Sequence, residues 1–164
     1  MFRWTEWDNE IKAYTDSDWA GCRATRKSTS GGVLRVAGLT VKTWSANQKN
    51  IALSSGEAEL YAANRGAAEA MGLRAIGRDF LDNLHIVLHA DANAAIGSAS
   101  RRGLGKIRHI ETQELRLQEH IRSGSVTLVK VPGSENPADL MTKHFTAAVM
   151  ERHCEALGLQ PALA

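Results

Sequence analysis

No apolar run in this sequence approaches the ~20 residues that a membrane-spanning helix needs. The first ten residues, MFRWTEWDNE, lack the charged, apolar and small-residue zones of a secretion signal. Cysteine is scarce, and Cys22 and Cys154 stand far apart in no metal-binding spacing. Such a pair makes no disulfide framework and reads as reduced thiols in a reducing compartment. These absences predict a soluble, intracellular, cytoplasmic protein with no membrane partner. Internal repeats, linkers and low-complexity segments are missing too. The 164 residues are therefore most simply one domain, 1–164, long enough to bury its own core.

Acid is also missing where it would be expected. With 43% hydrophobic and 23% charged residues the chain is of ordinary globular composition, and its net charge of +2 decides little. The distribution says more. From Trp19 to Gly56 there is no Asp or Glu, while Arg23, Arg26, Lys27, Arg35, Lys42 and Lys49 all fall in that stretch. A second acid-free segment, Ala92 to Ile110, carries Arg101, Arg102, Lys106 and Arg108. Such patches suit a polyanion, because each neutralised phosphate releases counterions. Solvated loops explain them equally well, so charge alone does not choose.

What is present is a change of period. IKAYTD alternates and predicts a first strand. GGVLRVAGLTVKTW is two alternating runs joined at Ala37-Gly38, a hairpin signal. Ser54 or Ser55 can cap a long Ala-rich helix running to about Leu81, with Glu57 completing a capping box from Ser54. LHIVLHA (84–90) predicts a short apolar strand, followed by a weak helix from about Asn93 and the basic loop SRRGLG. A charged helix is expected over 106–122 with Ile110, Leu117 and Ile121 on one side, then a strand at SVTLVKV. Asn136-Pro137 has the form of an N-cap with Pro at the first helical position, and residues 146–164 supply a C-terminal helix and tail. An antiparallel meander followed by crossover units predicts an α/β protein with a mixed sheet.

The acids acquire positions on this frame. In YTDSDWAGC (14–22), Asp16 and Asp18 would project from one face of a strand, a repulsion that asks for a nearby cation. Glu59 heads the small-residue stripe Ala62, Ala63, Gly66, Ala70 that should press on the sheet, where a carboxylate needs a partner. Asp91 ends a strand at its carboxyl end, the usual place for ligands in open α/β sheets. Helix capping explains Asp91 as well, and the helix dipole explains Asp139 after Pro137.

Taken in order, YTDSDWAG, SSGEAELYA, HADANAAI and NPADLMTK resemble the four acidic motifs of the ribonuclease H family. The resemblance is greatest to the ribonuclease H domain of copia-type LTR retrotransposon polyproteins. It runs from Ile11 to Phe145 and takes in DWAGCRATRKSTSGG, TWSANQKNIALSSGEAELYA and KIRHIETQ. It implies the ribonuclease H-like fold: a five-stranded mixed sheet, meander plus two parallel strands, flanked by helices. Residues 1–10 would be a linker from the preceding polyprotein region, and the reverse transcriptase of that polyprotein a partner; the isolated domain is expected to be monomeric.

The activity the resemblance implies is endonucleolytic hydrolysis of the RNA strand of RNA–DNA hybrids, in reverse transcription within a virus-like particle. The catalytic carboxylates carried over are Asp16, Glu59, Asp91 and Asp139, holding two Mg²⁺ ions, with Mn²⁺ able to substitute. In that scheme Asp16 bridges both ions, Asp91 and Glu59 hold the one beside the leaving oxygen, and Asp139 helps hold the other. Asn93 stands where copia-type sequences usually have Gln and would meet the minor groove or a 2′-hydroxyl. Gln48, Asn47 and Ser55 are further substrate-binding candidates, as are Arg101 and Arg102 for phosphates. The histidine that cellular members carry before the last acid is absent from VKVPGSENPAD; His109 and His144 are nearest in sequence. Two alternatives remain on this fold. A recombinase of the DDE type would lack the helix acid and end in Glu. A catalytically weak structural or nucleic-acid-binding domain would be expected to lose the carboxylates.

Overall fold

The computed structural model describes residues 8–79, 83–91, 97 and 112–159. Strands β1 (Glu10–Asp18), β2 (Thr29–Val36) and β3 (Leu39–Asn47) form the meander. Helix α1 (Ser55–Gly77) leads to β4 (His85–Ala90), and α2 (Thr112–Arg122) leads to β5 (Val126–Lys130). A 3-10 turn (Gly133–Glu135), a 3-10 helix (Pro137–Met141) and α3 (Ala147–Ala156) follow. The sheet order is β3-β2-β1-β4-β5. β1 pairs antiparallel with β2 and parallel with β4, and β4 pairs parallel with β5. The expected five-stranded mixed sheet is the one observed.

β1 lies at the centre, and its alternate residues Ile11, Ala13 and Thr15 are fully buried. Ile11 and Ala13 join Leu60, Ala63, Ala67 and Ala70 of α1 and Ile86 and Leu88 of β4 in the core. The small residues along α1 let the helix sit close to the sheet, as the sequence stripe predicts. Leu117, from α2, closes the core at 1% exposure with Ile121 packed beside it.

Local signals placed most boundaries. Ala37 and Gly38 both take positive φ, 47° and 74°, the paired left-handed geometry of a two-residue hairpin turn. Glycine accepts that geometry freely, whereas an alanine pays about 1 kcal/mol in crowding against its Cβ. Ala37→Gly is therefore expected to stabilise the protein by about 0.5–1 kcal/mol. Matched chemical denaturation would read this, and a destabilised variant would show that Ala37 is not strained.

Ser54 caps α1, its Oγ accepting from the Glu57 amide at 3.2 Å, while the Glu57 carboxylate accepts from the Leu53 amide at 2.9 Å. The helix ends at Gly77, earlier than the expected Leu81, because glycine is a poor helix former and Arg78 and Asp79 already turn. The helix expected from Asn93, the SRRGLG loop and the first turns of the 106–122 helix lie outside the described residues. No helix among the described residues is long and apolar enough to cross a membrane.

Candidate active site

Three of the four singled-out acids are brought into one charge cluster at the carboxyl end of β1, and the fourth stands within range of it. Asp16, from β1, is 2% exposed. Glu59, in the first turns of α1, is 9% exposed and its Oε1 accepts from the Ser17 amide at 3.3 Å. Asp139 sits in the 3-10 helix at 6% exposure. Asp91 follows the last residue of β4, its carboxylate against the backbone of Gly133; a Cβ there would stand 2.8 Å from Asp91 Oδ2.

The Asp139 segment is held on β1 by a buried strap. Asn136, fully buried, donates from Nδ2 to the Thr15 carbonyl at 2.9 Å, and its Oδ1 caps the 3-10 helix by accepting from Ala138 N at 3.2 Å. Gly31 of β2, paired with Asp16, makes room for that segment: a Cβ there would lie 2.6 Å from Thr142 Cγ2 and 2.7 Å from Met141 Cβ.

The cluster has a cation of its own. Lys143 Nζ lies 2.8 Å from Asp139 Oδ2 and 3.3 Å from Asp16 Oδ1. Thr142 Oγ1 donates to the other Asp16 oxygen. Burial and the Asp16 charge push the Glu59 carboxyl up to about 7. Burial likewise raises Asp139 to about 6; the Asp16 and Asp91 charges add to this, and the Lys143 hydrogen bond opposes it. Burial pulls the Lys143 ammonium down, but the two carboxylates it touches outweigh this and its pKa is raised.

The donor chemistry suits hard divalent cations. Glu59 Oε2, Asp139 Oδ1 and Ser17 Oγ are buried with no hydrogen-bond partner among the described residues. Unmet acceptors beside a bound ammonium are what an oxygen-lined cation site presents. Among the described residues no three such side chains already converge on one point.

No protein-family model matches the chain. The retrovirus-related Pol polyprotein from transposon TNT 1-94 of Nicotiana tabacum is 32% identical over 154 residues, 93% of this chain. The chain spans only 12% of that relative's length. Among solved structures, LC11-RNase H1 isolated from compost superposes with a TM-score of 0.61 at 20% identity, covering 81% of this chain and 92% of that one. The foamy viral protease-reverse transcriptase in complex with RNA/DNA hybrid gives 0.55 at 13% identity, over 80% of this chain and 18% of that one. The chain has the ribonuclease H-like fold and is related to retrotransposon Pol polyproteins.

In this ribonuclease H-like domain the remaining expectations separate. Asp18 works locally, its Oδ1 accepting from Gly21 N at 2.7 Å. Gln48 is buried and spends its amide nitrogen on Ser30 Oγ at 2.9 Å and the Ala58 carbonyl at 2.8 Å, tying β2 to α1. Asn47 and Ser55 are exposed at the same end of the sheet as Asp16, with Asn47 Oδ1 accepting from Thr29. Asn93, Arg101, Arg102 and His109 lie outside the described residues. His144 is exposed one residue beyond Lys143. Thr142 and Lys143 were not singled out from sequence, although Lys143 stands four residues after Asp139, the spacing at which opposite charges meet.

Proposed function

We propose that this domain hydrolyses the RNA strand of RNA–DNA hybrids, with Asp16, Glu59, Asp91 and Asp139 holding two divalent ions, Mg²⁺ or in its place Mn²⁺. The observation that carries the reading is the burial of Asp16, Glu59 and Asp139, from three distant segments, at one end of β1, with one ammonium pairing only Asp16 and Asp139. Burying like charges together is costly, and a fold retains such a cluster when a cation makes it useful. Bound there, two such ions supply positive charge to the attacking, leaving and non-bridging oxygens of a phosphodiester. The chain's own part is to aim the carboxylates. Asn136 fixes the Asp139 segment to β1, Ser17 N orients Glu59, and Thr142 orients Asp16.

Two further facts support the substrate class. LC11-RNase H1, which has this fold at a TM-score of 0.56, has been solved in complex with RNA/DNA hybrid. The foamy viral neighbour is a protease-reverse transcriptase, also solved in complex with RNA/DNA hybrid. By the same reading, a reverse transcriptase domain is this domain's natural companion, in an intracellular particle.

The test is incubation with labelled RNA–DNA hybrid, duplex DNA and duplex RNA, with Mg²⁺, Mn²⁺ or EDTA. Only the RNA of the hybrid should be cut, leaving 5′-phosphates, and only with metal present. Cleavage surviving EDTA, or equal cutting of duplex DNA, would overturn the reading.

A further inference from the structure

Beside the carboxylate cluster the surface turns apolar. Of the eight large hydrophobic side chains exposed among the described residues, three stand at this rim: Trp19 at 53%, Ile51 at 53% and Leu53 at 68%. Trp19 follows directly on β1, three residues beyond Asp16. Its indole Nε1 donates to the Ala52 carbonyl at 3.1 Å, which lays the ring along the 51–53 segment. Ala52 is buried at 4%, while the residues on either side of it are exposed. That segment runs into Ser54, the N-cap of the helix that carries Glu59. The patch thus joins the two elements that bring Asp16 and Glu59 to the site.

Exposed apolar clusters of this kind mark contact surfaces, and the surrounding charge says what the contact is. Arg23, Arg26 and Lys49 are exposed nearby on a stretch that has no acid from Trp19 to Gly56. The two acids beside the patch are turned inward: Asp18 accepts from Gly21 N, and Glu57, 2% exposed, accepts from Leu53 N. An aromatic face with a basic fringe, its neighbouring acids occupied by backbone amides, matches a nucleic-acid strand, whose bases and sugars are apolar and whose phosphates are not. The bond to Ala52 leaves the indole with its polar edge satisfied and its orientation set before any ligand arrives.

We propose that Trp19, with Ile51 and Leu53, is the platform on which the hybrid rests as it enters the carboxylate site, while Arg23, Arg26 and Lys49 take adjacent phosphates. The inference depends on the hybrid being the substrate, as proposed above. Trp19 is a binding residue here and holds no reacting atom.

The experiment measures binding of labelled hybrid in an Asp16→Asn background, where the strand stays intact, over a range of salt. Trp19→Ala should weaken binding about tenfold without changing the slope of log K against log salt, because stacking releases no counterions. Trp19→Phe, which keeps a ring, should recover most of the affinity. Arg23→Ala with Arg26→Ala should instead lower the slope. Thermal melting of each variant checks the fold, and if Trp19→Ala unfolds, Leu53→Ser at the more exposed edge replaces it with an expected loss of about threefold. Unchanged affinity in folded Trp19→Ala, or in Leu53→Ser where that replaces it, overturns the platform while leaving hybrid cleavage standing. A parent protein that cleaves no hybrid and binds none overturns both.

Discussion

Asp16→Asn is expected to lower hybrid cleavage by about a thousandfold or more, equivalent to about 4 kcal/mol of lost transition-state stabilisation. The substitution keeps size and packing and removes one negative charge from the most buried carboxylate of the cluster. Neutral amide oxygen holds a dication weakly, so excess Mg²⁺ should not restore activity fully. The fold should survive. In metal-free protein, Glu59 and Asp139 are both raised partly by the Asp16 charge, so removing that charge relieves repulsion. The variant should melt no lower than the parent at pH 8. Asp18→Asn makes the control, because Asp18 serves the Gly21 turn and an amide oxygen can accept the same bond. Hybrid cleavage and metal-free melting of both variants decide the matter. Near-normal activity in Asp16→Asn alongside a dead Asp18→Asn would reverse the assignment.

Glu59→Gln should flatten part of the pH dependence of stability. Glu59 titrates at about 7 in the folded, metal-free protein against an ordinary 4.5. Between those values the folded state holds a proton that the unfolded chain has released. Stability from this group is therefore full below 4.5 and is lost as pH rises through 7, a loss of about 3 kcal/mol. Asp139, raised to about 6, acts in the same direction. His89 and His153, both lowered by burial, act in the opposite direction over their own range. The difference between variant and parent isolates Glu59. Chelated parent protein should lose more stability than Glu59→Gln between pH 5 and pH 8. Glutamine retains an oxygen for the Ser17 amide, so the variant should be the more stable of the two at pH 8. Parallel curves would mean that Glu59 is ionised throughout.

Local periodicity made much of this legible from sequence. The Ala37-Gly38 turn, the Ser54 cap, the Asn136 cap and the small-residue face of α1 each depend on residues within a few positions of one another. The four acids were legible through their motifs, and Asp18 was separable from Asp16 because WAG already looks like a turn. The partners of those acids were not. Lys143 and Thr142 reach Asp16 across 127 and 126 residues, a distance no periodicity spans. Gln48 was expected at the substrate, but its amide nitrogen is taken by Ser30 and Ala58, a contact set by how α1 lies on the sheet. The early end of α1 turned on Gly77, which continues the small-residue stripe and also weakens the helix.

The strap from Asn136 to Thr15 also sets the order in which the protein can mature. It joins positions 121 residues apart, and the strand it grips is the first among the described residues. Contacts of such long sequence separation repay their loop-closure entropy late in folding. During synthesis β1 emerges before α1 and β4, but Asp16 waits for the segment carrying Asn136, Asp139 and Lys143 before the cluster is complete. The meander and α1 can collapse earlier around their short-range hairpins. By this reasoning the carboxylate cluster closes late, so a chain that ends before residue 136 can hold most of its core and still have no centre.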